Sequence, residues 1–412
     1  MPRILVLADD LSGAADCGIA FTRSGLSAVV ILSEGPAAVT RAAPDVLAVD
    51  ADSRRLPPEA AAAINARMAR RYLSDDLVFY KKIDSALRGN VAAELAALTP
   101  LAGLAIVAPA FPATGRVTRG GRVYLHGMPL EATETWQRAQ LTGIADIAAI
   151  LTRGGVRPAR VGLDLVRGEP DALRDALELM GLEGAAAVVC DAETETDLAA
   201  IAVASARLAR RHFCVGSAGL AHHLVRASGT VADTPPISLR LRGPVLVAVG
   251  SLSSASRVQA QHLAQEPGVV TLTVQPEILL QGESSPQWQA ASTEFHSALQ
   301  QEDDVLLTIG CGNTMPPEEG WRLCAALGRL VVPFAARLGG LLATGGDTAR
   351  GILDALGAVG LRLTREIEPG VALSVMEGER PLPVVTKAGA FGGPGTLVHC
   401  RAVLSGAGTT KS

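Results

Sequence analysis

A chain of 412 residues with a formal net charge of −4 and a pI near 6.0 has the length for two or three domains with real cores. It lacks the concentrated positive field that a nucleic-acid surface needs. Aromatic residues make up only 3%, so the cores are expected to be small and aliphatic, as in helix-covered parallel sheets.

Mean hydropathy is +0.29, yet every apolar run breaks within about a dozen residues, short of the roughly 18 that a membrane-spanning helix requires. No basic, apolar, small-residue leader opens the sequence. The six cysteines (Cys17, Cys190, Cys214, Cys311, Cys324 and Cys400) are scattered, with no C-x-x-C pair. They are expected to be reduced and mostly buried, in a cytoplasmic protein with no membrane and no nucleic-acid partner.

The first predicted strand, near 3–8, runs straight into Asp9-Asp10-Leu11-Ser12-Gly13. Alternation along an extended chain points neighbouring side chains opposite ways, so Asp9 and Asp10 are not expected to share a direction. One of them can hold a substrate hydroxyl or a metal where ligands bind in open α/β sheets, outside the carboxyl ends of the strands; the plain alternative is a helix cap and a solvated neighbour. Further strands are predicted near 27–32, 45–49, 77–81, 103–108, 159–163, 186–190 and 212–215. Helices are predicted near 13–24, 57–73, 89–98, 143–153, 170–180, 194–210 and 218–226. This alternation argues for an α/β fold with a largely parallel sheet.

Two groups at strand ends carry chemistry. Asp50-Ala51-Asp52-Ser53-Arg54 brings a guanidinium, and Lys82-Ile83-Asp84-Ser85-Ala86-Leu87-Arg88 brings two cations, a carboxylate and a hydroxyl. Lys82, Ser85 and Arg88 suit a small carboxylate, and Asp84 can hold a hydroxyl or orient Lys82. Arg116, Arg119 and Arg122 fall in a glycine-rich stretch that reads as a solvated loop or a mobile lid. Ser217 sits in no G-x-S-x-G elbow and is expected to cap the helix that carries His222 and His223. The seven histidines show no ligand spacing, so no metal held by the protein alone is predicted.

Residues 226–243, with two prolines and no helical period, read as a linker between domains 1–228 and 243–412. A second α/β series follows, with strands near 244–249, 269–274, 304–309, 341–344, 366–375 and 383–386 and helices near 254–265, 287–300 and 348–356. Three junctions in it pair glycines with helix starts or a cation: Gly250-Ser251-Leu252-Ser253, Thr344-Gly345-Gly346-Asp347-Thr348, and Lys387-Ala388-Gly389-Ala390-Phe391-Gly392. Glycines allow close backbone approach, and free N–H groups at a helix start attract anions. Together they suggest a nucleotide site. No Gly-Lys dipeptide is present, so it is not a Walker P-loop, and Gly310–Met315 fails the dinucleotide fingerprint at its last position.

In order and spacing these segments resemble the four-carbon acid sugar kinases, over nearly the whole chain. The resemblance implies an N-terminal acid-sugar domain, a C-terminal ATP domain and a ligand site in the interdomain cleft. It implies phosphoryl transfer from ATP, with Mg²⁺, to the terminal hydroxyl of threonate, erythronate or a 3-oxo-tetronate. It marks Asp10, Arg54, Lys82, Asp84 and Ser85 as substrate binders, and Ser253, Gly345, Gly346, Asp347, Thr348 and Gly389 as ATP contacts. Ser251, Lys387 and Gly392, in the same loops, are likewise expected to contact ATP, Lys387 as a cation for the phosphates, and Arg88 is expected to bind the acid sugar. Ser12 replaces a common threonine and Ala388 a common serine. Arg54, Lys82 and Ser85 are expected to fix the carboxylate, while Asp10 and Asp84 both qualify as the base. Two rivals stay open: a ribokinase-like sugar kinase with its base at Asp347, and a non-catalytic acid-sugar-binding protein. A homodimer is the base-rate expectation.

Overall fold

β1 (Ile4–Ala8) is apolar and buried throughout, the pattern of a central parallel strand covered on both faces. The computed structural model describes residues 3–32, 44–228, 243–251, 253–310 and 320–406. The remaining strands of the first half are β2 (Ala28–Ile31), β3 (Val46–Asp50), β4 (Val78–Lys82), β5 (Leu104–Ala108), β6 (Arg116–Arg119), β7 (Arg122–Leu125), β8 (Met128–Pro129), β9 (Pro158–Val161), β10 (Ala187–Cys190) and β11 (His212–Gly216). The main sheet runs β2-β3-β1-β4-β11-β5-β10-β9, with parallel pairing from β3 through to β9. Register puts Ala8 level with Asp50 and Lys82, and Gly216 level with Lys82 and Ala108. The carboxyl ends of five neighbouring strands therefore finish in one row. That row is where the polar residues collect.

The second half contains β12 (Val245–Val249), β13 (Val269–Val274), β14 (Asp304–Ile309), β15 (Gly340–Thr344), β16 (Gly360–Glu368), β17 (Val371–Glu377) and β18 (Leu382–Lys387). Their order is β13-β14-β12-β15-β18-β17-β16. The first five are parallel neighbours, and β17 pairs antiparallel with both β18 and β16. Valines and leucines of β12, β15 and β18 pack with Leu397, Cys400 and Leu404 of the helix Thr396–Leu404; each such side chain contributes about 1.5–3 kcal/mol when fully buried.

Both halves are α/β, as the alternation predicts. The chain divides into two compact units, Met1–Val29 with Arg41–Thr234, and Val30–Thr40 with Pro235–Ser412. A division into contiguous halves misses this exchange: the Leu32 N–H donates to the Val359 carbonyl at 3.3 Å and Arg350 donates to the Leu32 carbonyl at 2.5 Å, both inside the second unit. The predicted linker lies mostly outside the described residues, as do Cys311–Met315. The other five cysteines are free and buried. Among the described residues no helix is long and apolar enough to cross a membrane.

Candidate active site

Asp9 and Asp10 follow the last residue of β1. The Asp9 carbonyl accepts the N–H groups of Ser53 at 3.0 Å and Arg54 at 3.1 Å, which draws the loop after β3 over the end of β1. Arg54 then grips both carboxylates. Its Nε and Nη2 donate to Asp9 at 2.8 Å each, and its Nη1 and Nη2 donate to Asp10 at 2.8 Å each. The expected divergence of the two aspartates is thus corrected. The chain leaves the strand after Ala8, and a planar guanidinium offers one edge to each carboxylate. Asp10 also caps the helix Leu11–Thr22, accepting the Gly13 N–H at 2.9 Å. It is a helix cap as well as a candidate site residue.

The shared guanidinium splits the two acids. For Asp9 burial pushes the carboxyl up, but Arg54, with help from Lys81 and Lys82, holds it below its ordinary value. For Asp10 burial, reinforced by the Asp9 charge, outweighs Arg54 and raises it. Asp84 differs from both. Burial is overcome by Arg88, which binds it through two nitrogens at 2.7 and 2.9 Å and keeps it well below the carboxylate range. Ser85 is buried beside it, and Leu87 adopts a left-handed φ of 56°, a strained conformation that clusters at functional sites.

Lys81 and Lys82 alternate along β4, and only Lys82 acts on all three of these aspartates. Lys81 pairs instead with Glu94 at 2.8 Å, both side chains at most 1% exposed. Glu94 accepts the Ser53 hydroxyl at 2.6 Å, and Asn65 donates to the same hydroxyl at 3.1 Å. Asn90 ties down the carbonyls of Ser53 and Leu56. The loop that carries Arg54 is therefore fastened from below by residues no motif reports. The readable signal is the Lys-Lys pair itself, since one lysine of a buried strand must face away from the site and find an acid. Glu94→Ala strands the Lys81 ammonium and is expected to cost about 3–5 kcal/mol in a urea melt. A loss under about 1 kcal/mol would mean that this pair does not hold the loop.

The arginine-rich stretch is a β-hairpin and not an irregular loop. β6, β7 and β8 form a small antiparallel sheet in which Arg119 and Arg122 pair with Glu193 and Glu131. Arg116 is buried, at 5% exposure. Ser217 caps its helix as expected, accepting the Gly219 N–H at 3.1 Å.

In the second unit the three glycine junctions meet. β12, β15 and β18 are neighbours in the order β12-β15-β18, so their carboxyl ends lie side by side. Gly345 takes φ 92° and ψ 142° and caps the helix Gly346–Ala355 without a side chain; a β-carbon is rarely tolerated at that φ. The N–H groups of the first turn thus lack intrahelical partners. Ser253 and Ser256 donate to the Gly389 carbonyl at 2.6 and 2.7 Å, tying the first junction to the third. Thr348 is buried and Asp347 exposed. Lys387 has a different task from the phosphate contact expected of it. Its ammonium donates to the carbonyls of Ala388, Gly389 and Phe391 at 3.0, 3.2 and 3.0 Å, which uses its three N–H groups to shape the loop. Burial lowers its pKa to about 8, offset only in part by Cys400 and Glu368. Gly392, at φ 85°, closes the same loop. Among the described residues no group of three or more His, Cys, Asp or Glu side chains is arranged to hold a metal.

A family described as a sugar-binding N-terminal domain matches residues 4–224, and one described as a nucleotide-binding C-terminal domain matches residues 246–397. The chain is similar to a D-threonate kinase of Cupriavidus necator, with 47% identity over 399 residues and 96% of each chain covered. It is similar also to a D-threonate kinase of Salmonella typhimurium, at 32% over 426 residues and 96% of each. A solved Haemophilus influenzae protein superposes with a TM-score of 0.70 at 19% identity, covering 97% of this chain and 100% of that one; at such identity the likeness speaks for the fold alone. With both domains matched in order and relatives of this activity aligned along nearly their whole length, the chain belongs to the four-carbon acid sugar kinases, enzymes that transfer a phosphoryl group to an alcohol acceptor.

Proposed function

We propose that this chain phosphorylates the terminal hydroxyl of D-threonate with ATP, in the cytoplasm. The observation that carries the mechanism is geometric: at the end of β1 one guanidinium, that of Arg54, bridges the carboxylates of Asp9 and Asp10, and burial raises the proton affinity of Asp10. A carboxylate of that kind suits a general base. Asp10 accepts the proton of the reacting hydroxyl, and Arg54 and Lys82 hold the acid sugar beside it. Ser85 adds a hydroxyl contact. Asp84, locked by Arg88, orders the loop and stays ionised. Phosphoryl transfer asks mostly for position and charge, which these side chains supply.

The donor site fits a nucleotide. Gly345, Gly346, Asp347 and Thr348 present a helix start to the phosphates, and Ser251, Ser253 and Gly389 line the adjoining turn. ATP supplies the transferable group, with Mg²⁺ carried largely by its phosphates and water, as is usual for that ion, and with Asp347 as the nearest carboxylate of the helix start.

The test is turnover with ATP and Mg²⁺ on D-threonate, L-threonate, D-erythronate, a 3-oxo-tetronate and ribose, read as ADP release and as a phosphomonoester by phosphorus NMR. D-threonate is expected to have the highest kcat/KM. Preference for ribose would favour the ribokinase-like reading. Sugar-acid binding without any nucleotide binding would favour a non-catalytic protein.

A further inference from the structure

Gln259 lies on the helix Ser254–Leu263, which is capped by Ser253 just after the first glycine junction. Ser253, Ser256 and Gln259 recur every third residue, so they fall on one side of that helix. All three donate to the loop that follows Lys387. The two serines hold the Gly389 carbonyl, and the Gln259 Nε2 donates to the carbonyls of Phe391 and Gly393 at 3.0 Å each.

Both partners of the Gln259 amide are acceptors only, so the nitrogen is the end that faces them. The other end is left unserved. Gln259 is 1% exposed, and its Oε1 has no hydrogen-bond partner. A buried acceptor in that state is destabilising. An apolar side chain of the same length would avoid the loss, and what glutamine adds is its two N–H donors.

Those donors complete a pattern in the loop. Lys387 holds the carbonyls of Ala388, Gly389 and Phe391, so with Gln259 and the serines four carbonyls are drawn to side chains beneath the loop. In a trans peptide the C=O and the following N–H point in opposite directions. The N–H groups of Gly389, Ala390 and Gly392 are therefore turned away from Lys387 and the helix. Among the described residues none of the three has a backbone acceptor. Pro394, which follows the fourth carbonyl, has no N–H to leave unpaired. Neighbouring N–H groups presented in this way by a turn bind anions.

We propose that Gln259 is a positioning residue for nucleotide binding: by holding the Phe391 and Gly393 carbonyls inward, it keeps the N–H groups of Gly389, Ala390 and Gly392 toward the phosphates. The assignment rests on the nucleotide site proposed above, and Gln259 acts there through the loop, without touching ATP.

The test measures calorimetric affinity for ATP and for D-threonate, kcat at saturating ATP, and thermal melts in full-length Gln259→Met, Gln259→Glu and Gln289→Leu. Methionine fills the space and donates nothing. It is expected to weaken ATP about 5- to 150-fold, the scale of two lost hydrogen bonds between neutral groups, with kcat within threefold and D-threonate affinity within twofold. Gln259→Glu keeps the shape, but a carboxylate only accepts. It would face two carbonyl oxygens and draw off the Lys387 ammonium that shares the Phe391 carbonyl. Its ATP loss is expected to be at least as large, and it serves if the methionine variant does not fold. Gln289 is the control, because its Nε2 also donates to a backbone carbonyl, that of Glu283 at 2.7 Å, from an exposed position on the helix Pro286–Gln300. Gln289→Leu is expected to leave both affinities within twofold. ATP affinity within twofold of native in the folded Gln259 variants would overturn the assignment and leave the donor-site reading standing. Equal losses for ATP and D-threonate, or a loss of the same size in Gln289→Leu, would make Gln259 merely structural and overturn it too. A native chain that binds no ATP would remove the donor-site reading, and the assignment with it.

Discussion

Asp10→Asn is expected to lower turnover at least about 100-fold, the usual scale of a general base, while ATP binding stays within twofold. Asparagine keeps the size and remains a good helix cap, so the helix Leu11–Thr22 survives. What is lost is the negative oxygen that accepts a proton, because an amide cannot take it. The pH profile carries the sign. Burial and the Asp9 charge raise the Asp10 carboxyl, so the acidic limb of kcat/KM should lie above the ordinary aspartate value, with activity falling as pH drops through it. Asp84 is held far below that value by Arg88 and stays ionised throughout, so Asp84→Asn should lower activity without removing the limb. Turnover that survives in Asp10→Asn but collapses in Asp347→Asn would move the base to the glycine turn and favour the ribokinase-like mechanism.

What the residues reveal in advance, and what they hide, follows the range of the forces involved. The strands are legible because an apolar run such as Val245–Val249 that ends in Gly250-Ser251 needs no partner to be read. That three such ends belong together is suggested by their repeated glycine and helix-start pattern, and β12, β15 and β18 are indeed neighbours. The convergence of Asp9 and Asp10 is not, because it depends on a guanidinium more than forty positions away and on the exact residue where β1 stops. The same holds for Lys387, whose ammonium reads as a phosphate ligand until the loop carbonyls that surround it are known. The hairpin is a different case. Arg119 and Arg122 pair around Gly120-Gly121, and two runs separated by Gly-Gly are a recognisable hairpin signal. Its arginines mask the signal by suggesting solvent, although only Arg116 of the three is buried. Helices Gly320–Val331 and Thr396–Leu404 escape the same reading, since each starts beside glycines and prolines that announce a loop.

Gly389→Ala is expected to weaken ATP by about 100-fold or more while leaving D-threonate binding within twofold. A β-carbon at Gly389 would lie 2.2 Å from the Ser251 Oγ and 3.0 Å from its Cβ. The hydroxyl alone could swing aside, but a contact that close to Cβ asks the backbone of the first junction to move. That junction is fastened to Gly389 itself, because Ser253 and Ser256 both donate to its carbonyl, so the displacement pulls apart the turn proposed to meet the phosphates. Gly393→Ala is the matched control in the same loop: its β-carbon would meet nothing within 4 Å, and ATP affinity should stay within twofold. Gly346→Val attacks the other side of the proposed site, at the first residue of the helix Gly346–Ala355, and should obstruct phosphate by bulk. The measurement is calorimetric binding of ADP and ATP to each full-length variant, with thermal melts to establish folding. Nucleotide affinity within twofold of native in folded Gly389→Ala and Gly346→Val would remove the nucleotide from these turns, and the donor site would have to be sought elsewhere in the second unit.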